Sequence, residues 1–263
     1  MEKIFKFTIF IIFILLNTIY AKDGKLDIIK LENELKVCIW PQYYGISYLD
    51  SRTQKLVGID SDLAIELAKD LDVRLKFVKS SFPTLIDDIL TNRCDIAMFA
   101  IGNTKKREEK LRFTTPHLHS DIYAITTKTN NKIKKWDDID KKGIIVVVAK
   151  GTYHEPVMKS KLKNAQLVIV DSFKQREYEV RSGRADVFIT DYPYGKMMIE
   201  KTNWAKLIIP EKTYHLTPYA WTMNYGDDKF YNRVEKFIKD IKKDGRLKKL
   251  AKKNGLLPIV NLK

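Results

Sequence analysis

The sequence predicts an α/β protein of two lobes, each a mainly parallel sheet flanked by helices. Three observations carry that reading. Short apolar runs of strand length alternate with stretches whose apolar residues recur at helical spacing, the pattern of strands connected through helices. The run Gly143-Ile-Ile-Val-Val-Val148 is continuously β-branched, as in a strand buried on both faces of a parallel sheet. A unit made of a helix end, an arginine, one residue, an aspartate and a short apolar strand occurs twice, at Asn92-Arg93-Cys94-Asp95-Ile96 and Gly183-Arg184-Ala185-Asp186-Val187. Two copies of one helix-to-strand unit suggest two lobes of the same kind.

In order along the chain, Met1–Ala21 reads as a secretory leader. Lys3 and Lys6 form its charged start, Phe7–Leu16 its apolar run and Ile19-Tyr20-Ala21 its cleavage site. The alternative is an uncleaved anchor, although the run is short for about 30 Å of hydrocarbon. A lipid-modified cysteine is not expected near the cleavage site. Residues 22–120 form the first part of lobe 1, 121–218 lobe 2, and 219–263 the return to lobe 1 with C-terminal helices. Asp121–Thr127 carries the chain across and Tyr219–Met223 carries it back, a hinge of two strands.

In lobe 1, Leu35–Trp40 is a first strand ending in the aromatic loop Pro41-Gln-Tyr-Tyr-Gly45. Gly58-Ile-Asp60-Ser-Asp62 opens a helix whose acidic residues read as caps, with Leu63, Ala64, Leu67, Ala68 and Leu71 as its apolar stripe. Arg74–Val78 is a second strand. Phe82-Pro83 starts another helix with proline in its first turn, and Asn92 has the residue type that ends one in the left-handed conformation. Asp95–Ala100 is a buried strand, Gly102-Asn103 a turn and Thr104 an N-cap. Lys105, Lys106 and Arg107 then put positive charge at a helix start, a cost of about 0.3–1 kcal/mol per exposed charge. Such local inconsistency suits a site that seats an anion; the alternative is a solvated basic turn relieved by Glu108 and Glu109.

In lobe 2, Gly151-Thr152 follows a strand and precedes a helix with Pro156 in its first turn, a second candidate anion seat. Leu167–Val170 is a strand, Lys174–Arg181 a helix ending at Gly183, and Val187–Thr190 the strand that delivers Asp191. Phe230, Val234, Phe237, Ile238 and Ile241 repeat at helical spacing. Gly245 interrupts this pattern before Leu247, Leu250 and Ala251 resume it.

In open α/β sheets, ligands bind beyond the carboxyl ends of the strands. Tyr43, Phe82, Arg107, Thr152 and Asp191 all follow strands. Asp95, Thr104, Arg107 and Phe113-Thr114-Thr115-Pro116 resemble a motif of the family 3 extracellular solute-binding proteins, the amino-acid receptors of ABC importers. The resemblance implies the type II periplasmic-binding-protein fold. It also implies roles: Arg107 for the ligand's α-carboxylate, Asp191 for its α-ammonium, Thr152 within a G-T-x-x-E segment, and Tyr43 and Phe82 as aromatic flanks. Thr104 and Gly102 complete the ligand-binding set; Gly102 stands where the family usually has Ser or Thr, so only its amide could serve. Phe99-Ala100 is apolar where many relatives are small and polar, and His117 stands where a Tyr commonly follows the proline. The alternatives are an N-cap role for Asp191 and packing roles for Tyr43 and Phe82.

The net charge of +15 could favour anionic solutes or a membrane surface, but lysines spread over helix faces and the tail point to a compositional bias. Nucleic acid is not expected as a partner. Cys38 and Cys94 are expected as buried free thiols, with a disulfide as the alternative. No CxxC or zinc spacing occurs, so no metal and no cofactor are expected. His117-x-His119 reads as surface or rim.

The function these readings imply is a monomeric, periplasmic solute-binding protein. It would capture an amino acid or similar small zwitterion or carboxylate and deliver it to an ABC transporter permease in the inner membrane. One alternative is an enzyme on the same scaffold, resembling cyclohexadienyl dehydratase, with His154, Glu155 and His117 as acid–base groups. Those enzymes place a glutamate where this chain has His154, and Glu155 fits the binding-protein spacing. The other alternative is a sensor that hands the liganded receptor to a signalling partner.

Overall fold

The computed structural model describes residues 24–262, so the leader expected over Met1–Ala21 lies outside the described residues. One sheet has the order β5 (Arg74–Lys79), β1 (Glu34–Ile39), β6 (Ile96–Gly102), β14 (Thr217–Met223), β7 (Arg112–Phe113), with β8 (Leu118–Ser120) also on β14. β5, β1 and β6 are parallel and β14 is antiparallel. The second sheet has the order β11 (Gln166–Val170), β10 (Ile145–Ala149), β12 (Val187–Asp191), β9 (Ile122–Thr127), β13 (Ala205–Ile208). Its first three strands are parallel and β9 runs against β12. A ribbon of β2 (Gln42–Tyr43), β3 (Ser47–Leu49) and β4 (Leu56–Val57) follows β1.

The chain leaves the first sheet at β8, enters the second at β9 and returns on β14. The two crossings are tied together. Asp121 accepts from the Tyr214 amide at 2.9 Å and the His215 amide at 2.7 Å, both just ahead of β14. Ser120 Oγ accepts from the Tyr192 amide at 3.0 Å, joining the first crossing to the end of β12.

Four expectations need correction. The helix Ile59–Asp70 buries Leu63, Ala64, Leu67 and Ala68 as its stripe requires, but Asp60 is no surface cap. Its carboxylate is fully buried and accepts from the Ala100 amide (2.6 Å) and Trp221 Nε1 (2.9 Å), and bonds His117 Nε2 at 2.8 Å. His117, expected at the surface or rim, is therefore core, held by that acid.

Third, Phe82-Pro83 lies in a turn and the helix begins only at Leu85. Thr84, at its N-cap position, donates its hydroxyl to Asp88 at 2.9 Å. Fourth, Cys38 and Cys94 form a disulfide. Cys94 lies two residues before β6, which pairs with β1 in the register Val37↔Ile96, so the two Cα atoms are 5.5 Å apart, within bridging distance.

β6 itself is irregular. Ala100 adopts a left-handed φ of 47°, and the pairing with β14 shifts between Ala220 and Thr222. The helix Asp228–Lys243 covers the core with Phe230, Val234, Phe237, Ile238 and Ile241, as its spacing predicts.

Candidate ligand cleft

The carboxyl ends of the parallel strands in the two sheets face each other, and most of the candidate residues meet there. After β6, Thr104 caps the short helix Lys105–Glu108, its hydroxyl accepting from the Arg107 amide at 3.4 Å. This turn aims the Arg107 side chain inward, where the residue is only 7% exposed. Arg107 Nη1 donates to Gly102 O at 2.8 Å, and Nη2 donates across to Gly151 O of the second lobe at 3.0 Å. Burial pulls its pKa down to about 10, and the dipoles of Tyr219, Tyr153 and Tyr43 favour the charged form. It is a cation at neutral pH.

Asp191 ends β12 and is 2% exposed. Its Oδ1 accepts from the Tyr194 amide at 3.2 Å, capping the helix Tyr192–Lys201. Its Oδ2 accepts from the Tyr219 hydroxyl at 2.8 Å and from the Tyr43 hydroxyl, which reaches over from the first lobe. The capping alternative is thus realised on Oδ1, while Oδ2 is held by two tyrosine hydroxyls. Burial raises the carboxyl's pKa, while the two hydroxyls and the amide oppose the rise. Tyr153 OH lies 3.2 Å from Tyr219 OH, extending the hydroxyl group. Burial, then the Asp191 carboxylate, pushes Tyr43, Tyr153 and Tyr219 well above the usual phenol range, so all three are neutral. A buried cation from one lobe and a buried acid from the other therefore lie near the same three tyrosines, the acid bonded to two of their hydroxyls and the cation to two carbonyls.

Aromatic rings wall this polar centre. Phe82 lies 5.5 Å from Trp40, 6.0 Å from Tyr43 and 5.2 Å from Phe99, and the Arg107 guanidinium is 5.6 Å from its centroid. Trp40 meets Phe173 of the second lobe at 4.3 Å. Close backbone approach explains two glycines. A Cβ on Gly151, already at φ +77°, would sit 2.9 Å from Pro83 N of the facing lobe. A Cβ on Gly102 would lie 3.0 Å from the Tyr153 ring and 3.1 Å from the Thr217 methyl. The departure from Ser or Thr at Gly102 therefore goes with Tyr153 filling that space.

Arg107, Thr104, Phe82, Thr152 and Tyr153 line a cavity of about 720 Å³ between the lobes. Tyr43, Asp191 and Gly102 do not line it: the first two are buried against each other, and Gly102 packs against the Tyr153 ring. The Thr152 hydroxyl is turned onto its own strand, donating to Ala149 O at 2.7 Å. A second interlobe cavity of about 830 Å³ is lined by Tyr44, Phe173, Glu177, Tyr194 and Lys196 among others.

Among the acid–base candidates, Glu155 accepts from the Gly151 amide (3.0 Å) and from Lys159 (2.7 Å), which makes it a turn brace. His154 is buried, and neither ring nitrogen makes a hydrogen bond of normal geometry among the described residues. Burial with the nearby Arg176 and Arg107 cations holds its pKa well below the usual value, the Thr190 backbone opposing this. His154 is neutral at pH 7, and His117 is committed to Asp60.

Sequence reasoning missed Trp40, Tyr153, Tyr219 and Phe173. Trp40 closes the first strand and Tyr153 is the variable residue in the Gly-Thr-x-x-Glu segment, so position could have flagged both. Tyr219 lies on the returning strand and Phe173 opens a mostly polar helix, where nothing local marks them.

A cleft between two α/β lobes joined by two crossings, with opposite charges on its two walls, defines a solute-binding class of protein. Residues 35–256 match the bacterial extracellular solute-binding proteins, family 3, and the chain belongs to that family. It is 27% identical over 256 residues to the probable amino-acid-binding protein YxeM of Bacillus subtilis, covering 95% of each chain. It is 24% identical over 234 residues to a cyclohexadienyl dehydratase of Pseudomonas aeruginosa, covering 88% of this chain and 86% of that one. The crystal structure of the ancestral amino acid-binding protein AncCDT-1, a precursor of cyclohexadienyl dehydratase, superposes with a TM-score of 0.80 at 29% identity. That match covers 88% of this chain and 99% of the other.

Proposed function

We propose that this protein captures an amino acid or a similarly small zwitterion between its lobes and hands it to an ABC permease. The observation that carries the reading is the pairing of Arg107 with Asp191, buried on opposite lobes near the same three tyrosines. A zwitterion gives up its hydration on entering such a space, and each pole then needs a fixed partner. The planar guanidinium can hold a carboxylate through two parallel bonds, and Asp191 can accept from an ammonium. Because the two groups belong to different lobes, a solute that satisfies both favours lobe closure about the paired crossings. Phe82, Tyr43, Trp40 and Phe173 flank the stem, Thr152 lines the cavity with its amide and hydroxyl both turned onto Ala149 O, Gly102 supplies a carbonyl to Arg107, and Thr104 fixes the arginine's turn.

The protein works in the periplasm as a monomer, with the inner-membrane permease as its partner. The family's extracellular character, the leader-like start and the Cys38–Cys94 disulfide support that placement. The test is a thermal-shift screen of amino acids and small carboxylates, since tight binding stabilises the folded form by RT ln(1 + [L]/Kd). Arg107→Ala and Asp191→Ala each abolish the shift without unfolding the protein. Retained affinity in both variants would overturn the site.

A second reading, a dehydratase, is favoured by the enzyme relative alone. A neutral, buried His154 where such enzymes carry a glutamate speaks against it. Turnover of prephenate or arogenate by the purified protein would replace the receptor reading.

A further inference from the structure

Arg176 belongs to no part of the site described so far, yet it is fully buried on the helix Phe173–Arg181. Its guanidinium is enclosed by three rings, lying 4.2 Å from the centroid of Phe173, 4.5 Å from Phe188 and 4.6 Å from Tyr194. Nη1 donates to Ile189 O at 2.8 Å, while among the described residues Nε and Nη2 have no partner within normal hydrogen-bond geometry, the Tyr194 side chain lying near enough to favour the charge. A buried cation with two donors so poorly paired is expensive, and its cost on removing or adding a partner is several times that of a surface charge. A purely structural role would be served as well by an apolar side chain of the same length.

The contacts of Arg176 converge on one neighbour. Ile189 is two residues before Asp191 on β12, and Tyr194 is the residue whose amide Asp191 Oδ1 accepts at 3.2 Å. Arg176 thus grips the strand that delivers Asp191 and packs on the first turn of the helix that Asp191 caps. We infer that Arg176 is a positioning residue for Asp191, bracing the strand end and helix start that hold the carboxylate and supplying the positive charge that balances it inside the second lobe.

The electrostatics agree with this placement. Arg176 is among the groups that lower the pKa of Asp191 against the rise caused by burial. The other groups around the carboxylate are the phenols of Tyr43 from β2, Tyr219 from β14, Tyr153 and Tyr123, and the backbone amide of Tyr194. None of these carries a positive charge. Around Arg176 itself stand Tyr194, Glu177, Asp191 and His154, and Glu177 is already bonded by the Tyr194 hydroxyl. The consequence for recognition rests on the receptor reading above: with Asp191 ionised, the second lobe selects solutes carrying a protonated amine.

The test separates the two claims by titrating the protein without solute. Aspartate carboxyl carbons are labelled with ¹³C, and the Asp191 signal is assigned by its loss in Asp191→Asn. In Arg176→Gln the Asp191 transition moves to higher pH; in Arg176→Lys, which keeps the charge, it stays near the parent's. Arg176→Met, which fills the same aromatic cage, takes the place of the glutamine variant if that one does not fold. Should the neutral variants titrate at Asp191 as the parent does, the inference is overturned, whether or not any solute binds. For binding, the probe is the amino acid giving the largest thermal shift with the parent protein. Its affinity at pH 7 falls about tenfold in the neutral variants, the scale of one displaced charge-assisted hydrogen bond. In Arg176→Lys the loss is smaller and does not steepen on acidification. Equal losses with the same pH profile in lysine and neutral variants would mean that Arg176 acts through packing alone, and would also overturn it.

Discussion

Removing the disulfide is the perturbation whose size follows most directly from the chain. Cys38 and Cys94 are 56 residues apart in sequence. In the chain-entropy account, closing a loop of that length takes roughly 14 cal/mol/K from the unfolded ensemble, or about 4 kcal/mol at 25 °C. For a protein of this size, 1 kcal/mol corresponds to roughly 2–4 °C in Tm, so the bridge should contribute about 8–16 °C. The comparison is thermal unfolding of the parent protein against Cys38→Ala/Cys94→Ala, with the parent also measured after reduction. The alanines leave little polar mismatch, because both cysteines are buried next to the β1–β6 pairing. Thiol titration of the unfolded, unreduced parent should find no free thiol. Two free thiols, or a double variant melting within a degree or two of the parent, would refute the reasoning.

Asp191→Asn should abolish solute binding without unfolding the solute-free protein, which titration calorimetry and thermal unfolding check together. Burial raises the folded carboxyl's pKa above its unfolded value, so this group's contribution declines as pH rises through that interval. By the same sign, solute affinity should fall as pH drops through the raised pKa, since a protonated Asp191 no longer holds an ammonium; titration calorimetry between pH 4 and 7 measures this. Asp60→Ala should destabilise by about 3–5 kcal/mol in chemical denaturation, because His117, Trp221 and the Ala100 amide lose a shared buried partner. Ala100→Gly should stabilise by up to about 1 kcal/mol, relieving a left-handed alanine; a loss of stability would mean that the methyl's packing outweighs the strain.

The alternation of strands and helices was legible because each element carries its own period: Val146–Val148 must be a doubly covered strand, and Phe230 to Ile241 a one-faced helix. Arg107 and Asp191 were legible for a related reason, since strand ends in such sheets face the cleft and a basic helix start contradicts its own dipole. What stayed hidden depends on contacts distant in sequence. Asp60 reads as a helix-start acid until β6 and β14 bring Ala100, His117 and Trp221 around it. Cys38 and Cys94 read as separate thiols until the register of β1 on β6 is known. Tyr219 and Arg176 carry no local mark at all, because their partners are residues on other elements. Phe82-Pro83 shows the limit of local rules: proline suits a helix start, but here the pair stays in the turn ahead of the helix and Phe82 packs in the cleft's aromatic wall.

The lashing of the two crossings by Asp121 has a consequence for how such proteins could be rebuilt. The polypeptide departs from and rejoins the first sheet at points one carboxylate apart, so everything between them behaves as a cartridge with both its plugs side by side. Exchanging that cartridge with a relative's would replace Asp191, Thr152 and Phe173 in a single step while keeping Arg107, Tyr43 and the face that holds them.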